Sequence, residues 1–362
     1  MITAIILDDS GSQAAADAAI ALANSQELVG HILIATTSSA LTTQSSARII
    51  TGDSIVEAFT RAVTEAANKR IVVLSSSISI DPASFRDFLA KNNSNSLREH
   101  SIAPILANGE EISSLNLSPT SLTSLLAKQE KWPLLLLATS RSALLLVAQS
   151  NAESITELLT QALIRALADG DSILQAAGAG AEIATESANA LLTLPLDARA
   201  RCLNVALDAF NIEELFASHN WESYSNEAAA ASYHSLAALF LTFGDTASAI
   251  QCLNCSEMLE ESPRYFALKA LIQQAKGETL GAVANLVSSL QCYESRKIDD
   301  GKHYLSFKPQ NLEVINSSLV EGLNALNKRE NEDALSHFSQ AVFNFDPFYA
   351  EHGVSSGTAK AR

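Results

Sequence analysis

Apolar positions in the first half of the chain come in short, branched runs separated by polar turns and helical stretches. Ile2–Leu7 ends at Asp8-Asp9-Ser10-Gly11, which predicts a buried strand followed by a helix-capping turn. Ala14–Asn24 then reads as an Ala-rich helix. His31–Ala35 predicts a second buried strand, followed by a polar loop over Thr36–Ser46, and Arg48–Thr51 a short third strand. Asp53 or Ser54 can cap a helix over Ile55–Asn68, with Ile55, Phe59, Ala62, Val63 and Ala66 on one face. Ile71–Leu74 is a fourth strand, and Asp81-Pro82 opens another helix. Asn92–Ser121 reads as irregular, with a short strand near Ile102–Leu106. Trp132–Ala138 and Ser142–Ala148 read as two apolar strands around Thr139-Ser140-Arg141. Ala152–Asp169 is a helix ending at Gly170, a residue suited to the position just past a helix end.

This alternation predicts an α/β domain over residues 1–178 with a mostly parallel, Rossmann-like sheet. Ligands of such sheets bind beyond the carboxyl ends of the strands, which directs attention to the loops Asp8–Ser12, Thr36–Ser46 and Ser75–Ile80. Ala176–Gly180 is small and flexible enough for a domain boundary. From Pro195 to residue 352 the pattern is almost entirely helical, and residues 353–362 read as a flexible tail. In the helical part Gly244 recurs as Gly277, Ala237 as Ala270 and Ala249 as Ala282, close to the roughly 34-residue period of helical-hairpin arrays.

Composition narrows the partners. The 362 residues can support two cores, and 47% apolar with 18% charged residues is a globular balance. A net charge of −16 disfavours phosphate backbones and anionic membrane surfaces. No apolar run approaches the roughly 20 residues of a membrane span. The start, MITAIILDDSGS, is a strand pattern and not a signal peptide, and four cysteines do not make a disulfide framework. A reducing cytoplasm is the expected location.

Candidate chemistry is sparse. Asp8 and Asp9 fit either a solvated turn or a remnant ligand loop. Cys252-x-x-Cys255 has metal or redox spacing but lies mid-helix with no second pair, which favours a packed helix. His31 falls in a buried strand, and His219, His234, His303, His337 and His352 are scattered through the helical half. Trp132 and Arg141 fit a core tryptophan and a surface arginine better than the lining of a cleft.

Two resemblances add to this reading. The helical part resembles tetratricopeptide repeats over Ala228–Tyr349. One unit carries Tyr233, Leu236, Ala237, Phe240, Gly244-Asp245, Ala249-Ile250 and Leu253, and the next Phe266, Ala270, Gly277-Glu278, Ala282-Val283, Leu286 and Leu290. A third follows an insertion: Gly322, Ala325, Ala334-Leu335, Phe338, Ala341-Val342 and Asp346-Pro347. A helical pair over Arg199–Ser218 can cap the array. The resemblance implies a concave surface that binds a peptide or another protein domain.

The first part resembles family 2 glycosyltransferases of the GT-A fold. The helix Ile55–Asn68, the strand Arg70–Leu74, a short loop and Asp81-Pro82-Ala83-Ser84-Phe85 follow that family's layout. Arg165 and Gly170 keep the spacing of its later helix. The family's acids are missing. Its second-strand Asp-Asp-Gly-Ser loop is replaced by Ala35-Thr36-Thr37-Ser38-Ser39, its metal-binding Asp-x-Asp by Ser75-Ser76-Ser77, and its Glu-Asp base pair falls at Leu158-Leu159, beside Glu157. An acid pair after strand one also resembles receiver domains of response regulators, but Leu74-Ser75-Ser76 lacks their phospho-acceptor aspartate.

The resemblance implies nucleotide contacts at Asp8, Asp9, Thr36, Ser38, Asp53, Ser75, Ser77 and Arg165, with Glu157 and Asp81 as the catalytic candidates and no metal ligands. The leading expectation is a glycosyltransferase-like pseudoenzyme, without a cofactor, that acts in protein interaction or as a non-catalytic partner in glycan assembly. The alternative is an active, divergent, metal-independent glycosyltransferase whose repeats hold a protein acceptor. A nucleotide sugar, with a divalent metal if one is used, is implied only under that alternative.

Overall fold

A computed structural model describes residues 1–8, 12–42, 47–94, 96–103, 105–107, 110–112, 117–128, 131–132, 134, 136–148, 150–175, 181–183, 192–211, 214–215, 226–259, 261–296 and 311–346. Asp9, the Ala176–Gly180 stretch and residues 353–362 lie outside them. The chain forms two compact units, Met1–Leu215 and Phe216–Arg362.

In chain order, the first unit contains β1 (Ile2–Asp8), α1 (Gln13–Asn24), β2 (Val29–Thr36), β3 (Arg48–Thr51), α2 (Ile55–Glu65), β4 (Arg70–Ser75), β5 (Ile78–Ile80) and α3 (Pro82–Ser94). There follow β6 (Glu99–Ile102), β7 (Ile105–Ala107), β8 (Glu110–Ile112), α4 (Pro119–Lys128), β9 (Leu136–Ser140), α5 (Arg141–Leu146), α6 (Ile155–Ala168), β10 (Ser172–Gln175), β11 (Ala181–Ile183) and α7 (Leu196–Ala209). Seven strands form one sheet in the order β10-β6-β9-β4-β1-β2-β3. All its neighbours pair in parallel except where β9 meets β4 and β6.

The central strands β1 and β4 are buried along their whole length, as expected of strands covered on both faces. On one face Ile2, Ala4, Ile6, Val72 and Leu74 pack in a cluster with Ala16, Ile20, Phe85 and Phe88. Each fully buried phenylalanine contributes about 1.5–3 kcal/mol. Helix starts follow the expected chemistry: Ser54 and Ser154 accept hydrogen bonds from the N–H groups of Glu57 and Glu157.

Three expectations are corrected. Ser142–Ala148 is not a strand, because the Ser140 hydroxyl accepts from the Ala143 N–H and opens helix α5 there. Asn92–Ser121 is more ordered than expected: it contains the end of α3, three short strands and the start of α4. The first unit also extends past residue 178. β11 pairs with β5 and β7 in a second sheet of order β5-β11-β7-β8. Beyond it, the Trp132 N–H donates to the Leu192 carbonyl, and Ala198, Cys202, Leu203 and Ala206 of α7 are buried. α7 therefore belongs to the first unit, and most of the second half of the expected Arg199–Ser218 pair lies outside the described residues.

Three arginines of this unit meet the carboxyl ends of helices, where exposed carbonyls carry partial negative charge. Arg141 Nε donates to the Val63 carbonyl of α2. Arg199, from α7, donates to the Leu126 and Ala127 carbonyls of α4. Arg70 donates to the Asn92 side chain and to the Ser96 carbonyl at the end of α3. The Arg141 guanidinium thus serves packing at the end of α2.

The second unit consists, among its described residues, of three helical hairpins: α8 (Asn226–Thr242) with α9 (Thr246–Glu257), α10 (Pro263–Ala275) with α11 (Thr279–Arg296), and α12 (Leu312–Lys328) with α13 (Asn331–Phe343). The three turns share one geometry. Gly244, Gly277 and Arg329 adopt φ of 77°, 79° and 64°. The following residues, Asp245, Glu278 and Glu330, donate back to the carbonyls of Phe240, Gln273 and Ala325. This is a Schellman closure, which favours glycine at the left-handed residue.

The third hairpin departs from the other two in a compensated way. Ala237 and Ala270 stand seven residues before their turn glycines, and the same position before Arg329 is Gly322. Leu253 and Leu286 on the return helices correspond to Phe338. A Cβ on Gly322 would lie 2.9 Å from Phe338 Cζ. The pair Ala/Leu has become Gly/Phe, with the lost methyl making room for the larger ring.

Candidate functional site

From β1 the chain steps outward through β2 and β3, then returns to β4 on the other side of β1. The reversal leaves a switch point at the carboxyl ends of β1 and β4, the usual place for a ligand crevice in such a sheet. Its floor is polar and buried: Asp8, Thr36, Ser75, Ser76 and Ser77 all lie below the surface.

Asp8 organises this floor. The Thr36 hydroxyl donates to Asp8 Oδ2 at 2.8 Å, and the Ser76 hydroxyl donates to Oδ1 at 3.4 Å. The Ser76 N–H donates to the Leu7 carbonyl at 2.8 Å, continuing the β1–β4 ladder by one residue. The Ser77 N–H donates to the Ser75 hydroxyl at 3.0 Å, a serine turn that closes the loop. Thr36 Oγ1 also accepts from the Ser38 N–H, which fixes the start of the second loop. The structure thus brings together Asp8, Thr36, Ser38, Ser75 and Ser77. Ser76 was not among the expected residues, although it is the serine of the run whose hydroxyl meets Asp8.

The remaining candidates sit elsewhere. Asp53 is exposed beyond β3, and its N–H donates to Glu57 Oε2 as part of the α2 start. Asp81 is an exposed helix cap. It accepts from the Ser84 N–H and hydroxyl, and the N–H bond first of all lowers its pKa below the usual carboxylate range. Arg165 is half-buried in the last turn of α6.

Glu157 is fully buried in the first turn of α6. Its Oε2 accepts from the Glu153 N–H and its Oε1 from Gln161 Nε2. Arg201 of α7 reaches both oxygens, and Glu153 and Asp197 stand near the same guanidinium. The hydrogen bonds that Arg201 donates to Glu157 are the main reason its pKa is raised. A carboxylate held in this way ties two helices together and is poorly placed to take a proton from an acceptor.

A second polar cluster lies at the opposite, amino ends of the strands. His100 Nδ1 meets the Thr139 hydroxyl at 2.7 Å, and Nε2 meets Asp171 Oδ2 at 3.0 Å. Burial lowers the histidine pKa despite Asp171. Hydroxyl, imidazole and carboxylate are in the order of a catalytic triad, but Thr139 is buried in β9 between β4 and β6. No sequence motif marks this cluster.

A divalent ion on a diphosphate needs carboxylates with free oxygen positions. The described donors at the switch point are one carboxylate, which already accepts from two hydroxyls, and serine or threonine oxygens. That set does not fit such an ion. Among the described residues no group of three or more His, Cys, Asp and Glu side chains could hold a metal. Among the described residues no helix is long and apolar enough to cross a membrane.

Among solved structures, the chain is similar to glucosyl-3-phosphoglycerate synthase from Mycobacterium tuberculosis in complex with Mn2+, uridine diphosphate and glucosyl-3-phosphoglycerate, at 14% identity and TM-score 0.37, covering 57% of this chain and 79% of that one. It is also similar to S. aureus TarS, residues 1–349, at 10% identity and TM-score 0.42, covering 82% and 92%. A third is mannosyltransferase PcManGT from Pyrobaculum calidifontis in complex with GDP-Man and Mn2+, at 11% identity and TM-score 0.34, covering 94% and 85%. No family model and no curated protein matches the sequence.

Proposed function

We propose that the first unit is a GT-A-like glycosyltransferase domain that has lost metal-dependent transfer, and that the chain acts as an interaction protein through tetratricopeptide-like hairpins. The observation that carries this reading is the loop after β4. The position that calls for a metal-holding acid pair is Ser75-Ser76-Ser77, buried and bonded back to Asp8 and to itself. Serine hydroxyls do not neutralise a leaving diphosphate as two carboxylates do. The nearest acid to the expected base position, Glu157, is committed to Arg201. The repeated Schellman turns and the compensated Gly322/Phe338 exchange support a stacked array, whose usual use is to bind a peptide or a protein domain.

Titration of UDP, GDP and their sugars into the full chain, with and without Mn2+, followed by heat and by thermal shift, tests the first half of this proposal. No metal-dependent binding is expected. Metal-dependent binding in the micromolar range overturns the reading. Metal-independent binding that Asp8→Ala abolishes would favour the second reading, a divergent metal-independent transferase, for which Asp8 and Thr36 at the strand ends are the specific support. Pull-down with residues 216–362 tests the second half: loss of a partner that the full chain retains shows that the hairpins are not the binding module.

A further inference from the structure

Helix α9 ends on three sulfurs. Cys252, Cys255 and Met258 follow one another at intervals of three residues. Met258 closes the helix, and its φ of −67° and ψ of −22° keep it on the helical path. At about 100° per residue the three side chains fall on an arc of about 120°, with about 4.5 Å of axial rise from one to the next. Ala249, Leu253 and Ser256 form the buried face of the helix. The sulfurs stand beside that face, with Cys252 half-buried and Cys255 exposed, so the cysteine pair is not sealed inside the hairpin.

Packing does not account for Met258. It is 89% exposed, the highest value among the described large apolar side chains, and it is the only methionine of the chain besides Met1. Side chains on a helix tilt toward its amino end, which puts a flexible thioether within reach of a sulfur three residues earlier. The thiols are also close to each other and to Tyr233 of α8. Burial first, then the Cys255 charge, push the Cys252 thiol up to about 12. Burial first, then the charges of Cys255 and Cys252, raise the Tyr233 pKa. Two thiolates side by side repel, and a cation between them removes that repulsion.

Distances decide between a disulfide and a metal. Residues three apart on a helix hold their Cβ atoms about 5–6 Å apart, whereas a disulfide needs about 3.5–4.5 Å. A disulfide would therefore distort α9. A metal ion between two thiolates spans up to about 4.6 Å from sulfur to sulfur, at about 2.3 Å per bond, which suits the helix as it stands. Zinc takes four nitrogen or sulfur ligands in a structural site, and two thiolates with a thioether fall short of that. Soft thiolate and thioether donors select Cu(I). We propose that Cys252, Cys255 and Met258 form a surface site for one Cu(I) ion, held by two thiolates and one thioether. The methionine is what adds a third donor to a pair of thiols.

Anaerobic titration of the full chain with Cu(I), in competition with a coloured Cu(I) chelator, tests the site. One equivalent should move to the protein. Loss of a group that only supports metal ligands costs about 10–100-fold in affinity, so Cys255→Ser should cost at least about 100-fold and Met258→Leu about tenfold. Both side chains are exposed, so the urea midpoints of these variants should match the parent, which separates a lost ligand from a lost fold. Cys292→Ser should bind as the parent does. X-ray absorption at the copper edge should show sulfur neighbours alone. The proposal is overturned if the chain takes no copper from the chelator, or if Cys252→Ser/Cys255→Ser still binds it. Unchanged affinity in Met258→Leu, oxygen or nitrogen neighbours at the metal, or displacement of Cu(I) by an equal concentration of Zn2+ overturns it as well.

Discussion

Arg201 forks onto Glu157, with Nε to Oε1 at 2.7 Å and Nη2 to Oε2 at 2.9 Å, and this contact fastens α7 to α6. The carboxylate is wholly buried, whereas the arginine side chain keeps 33% of its surface in water. Removing the arginine strands a buried charge, so Arg201→Met is expected to cost about 2–4 kcal/mol, the lower part of the range for broken buried pairs because of that exposure. Glu157→Leu/Arg201→Met should recover most of the loss. Urea unfolding of the three variants reads this directly, and a single-variant cost below about 1 kcal/mol would show that the fork contributes little.

His234 is the reverse case. It is buried in α8, and among the described residues neither ring nitrogen has a hydrogen-bond partner. Burial, aided by the Arg264 charge, pushes its pKa down to about 3. An unfolded histidine titrates near about 6.5, so the unfolded chain takes up the proton first as pH falls. The stability linked to this group is therefore complete above about pH 6.5 and is lost as pH drops toward 3, by at most about 1.4 kcal/mol per pH unit. His234→Leu should raise stability at neutral pH by about 1–3 kcal/mol and flatten the acid limb relative to the parent chain. Equal pH slopes for the two proteins would show that His234 is not buried neutral.

The Gly322/Phe338 exchange predicts a coupling. Gly322→Ala forces a methyl against the ring and should cost about 1–2 kcal/mol, even after the helix-propensity gain. Phe338→Leu leaves a void and should cost about 1–2 kcal/mol. Together they rebuild the arrangement of Ala237 with Leu253, so the double variant should be better than the sum by at least about 1 kcal/mol. Simple additivity in a double-mutant cycle would remove the compensation.

Arg329 occupies the left-handed turn position that glycine fills in the other two hairpins. Arg329→Gly should stabilise the chain by about 0.5–1 kcal/mol, and Gly277→Ala should destabilise it by about 1 kcal/mol. Thermal midpoints moving in the same direction for both variants would contradict the shared turn geometry.

Local chemistry made much of the fold legible before any coordinates. Branched apolar runs located the first four strands, a cap at Asp53 or Ser54 located the start of α2, and Gly170 located the end of α6. The turn glycines marked two of the three hairpins. Non-local contacts were not legible. The three-residue strands β5 and β11 carry no periodicity of their own, and α7 is placed by Arg201 and Arg199 reaching partners far away in the chain. α5 was misread because Leu144–Val147 suits a strand, and the capping hydroxyl of Ser140 decided otherwise. At the candidate site the serine run was visible, but its burial and its bond to Asp8 depend on the β1–β4 pairing that the sheet imposes.

The pairing of Ile78–Ile80 with Ala181–Ile183 also sets an order of events during synthesis. The strand that leaves the Ser75–Ser77 loop finds its partner about 100 residues later, a closure that costs loop entropy before it returns any contacts. A ribosome that has just released residue 178 has made all seven strands of the large sheet, but not the cover for β5 or the helix that satisfies Glu157. The nascent first unit remains open there until α7 has emerged. A pause or cleavage in this interval leaves a chain with a formed sheet, an uncovered strand edge and a buried acid without its arginine, the species most prone to pair with a neighbour.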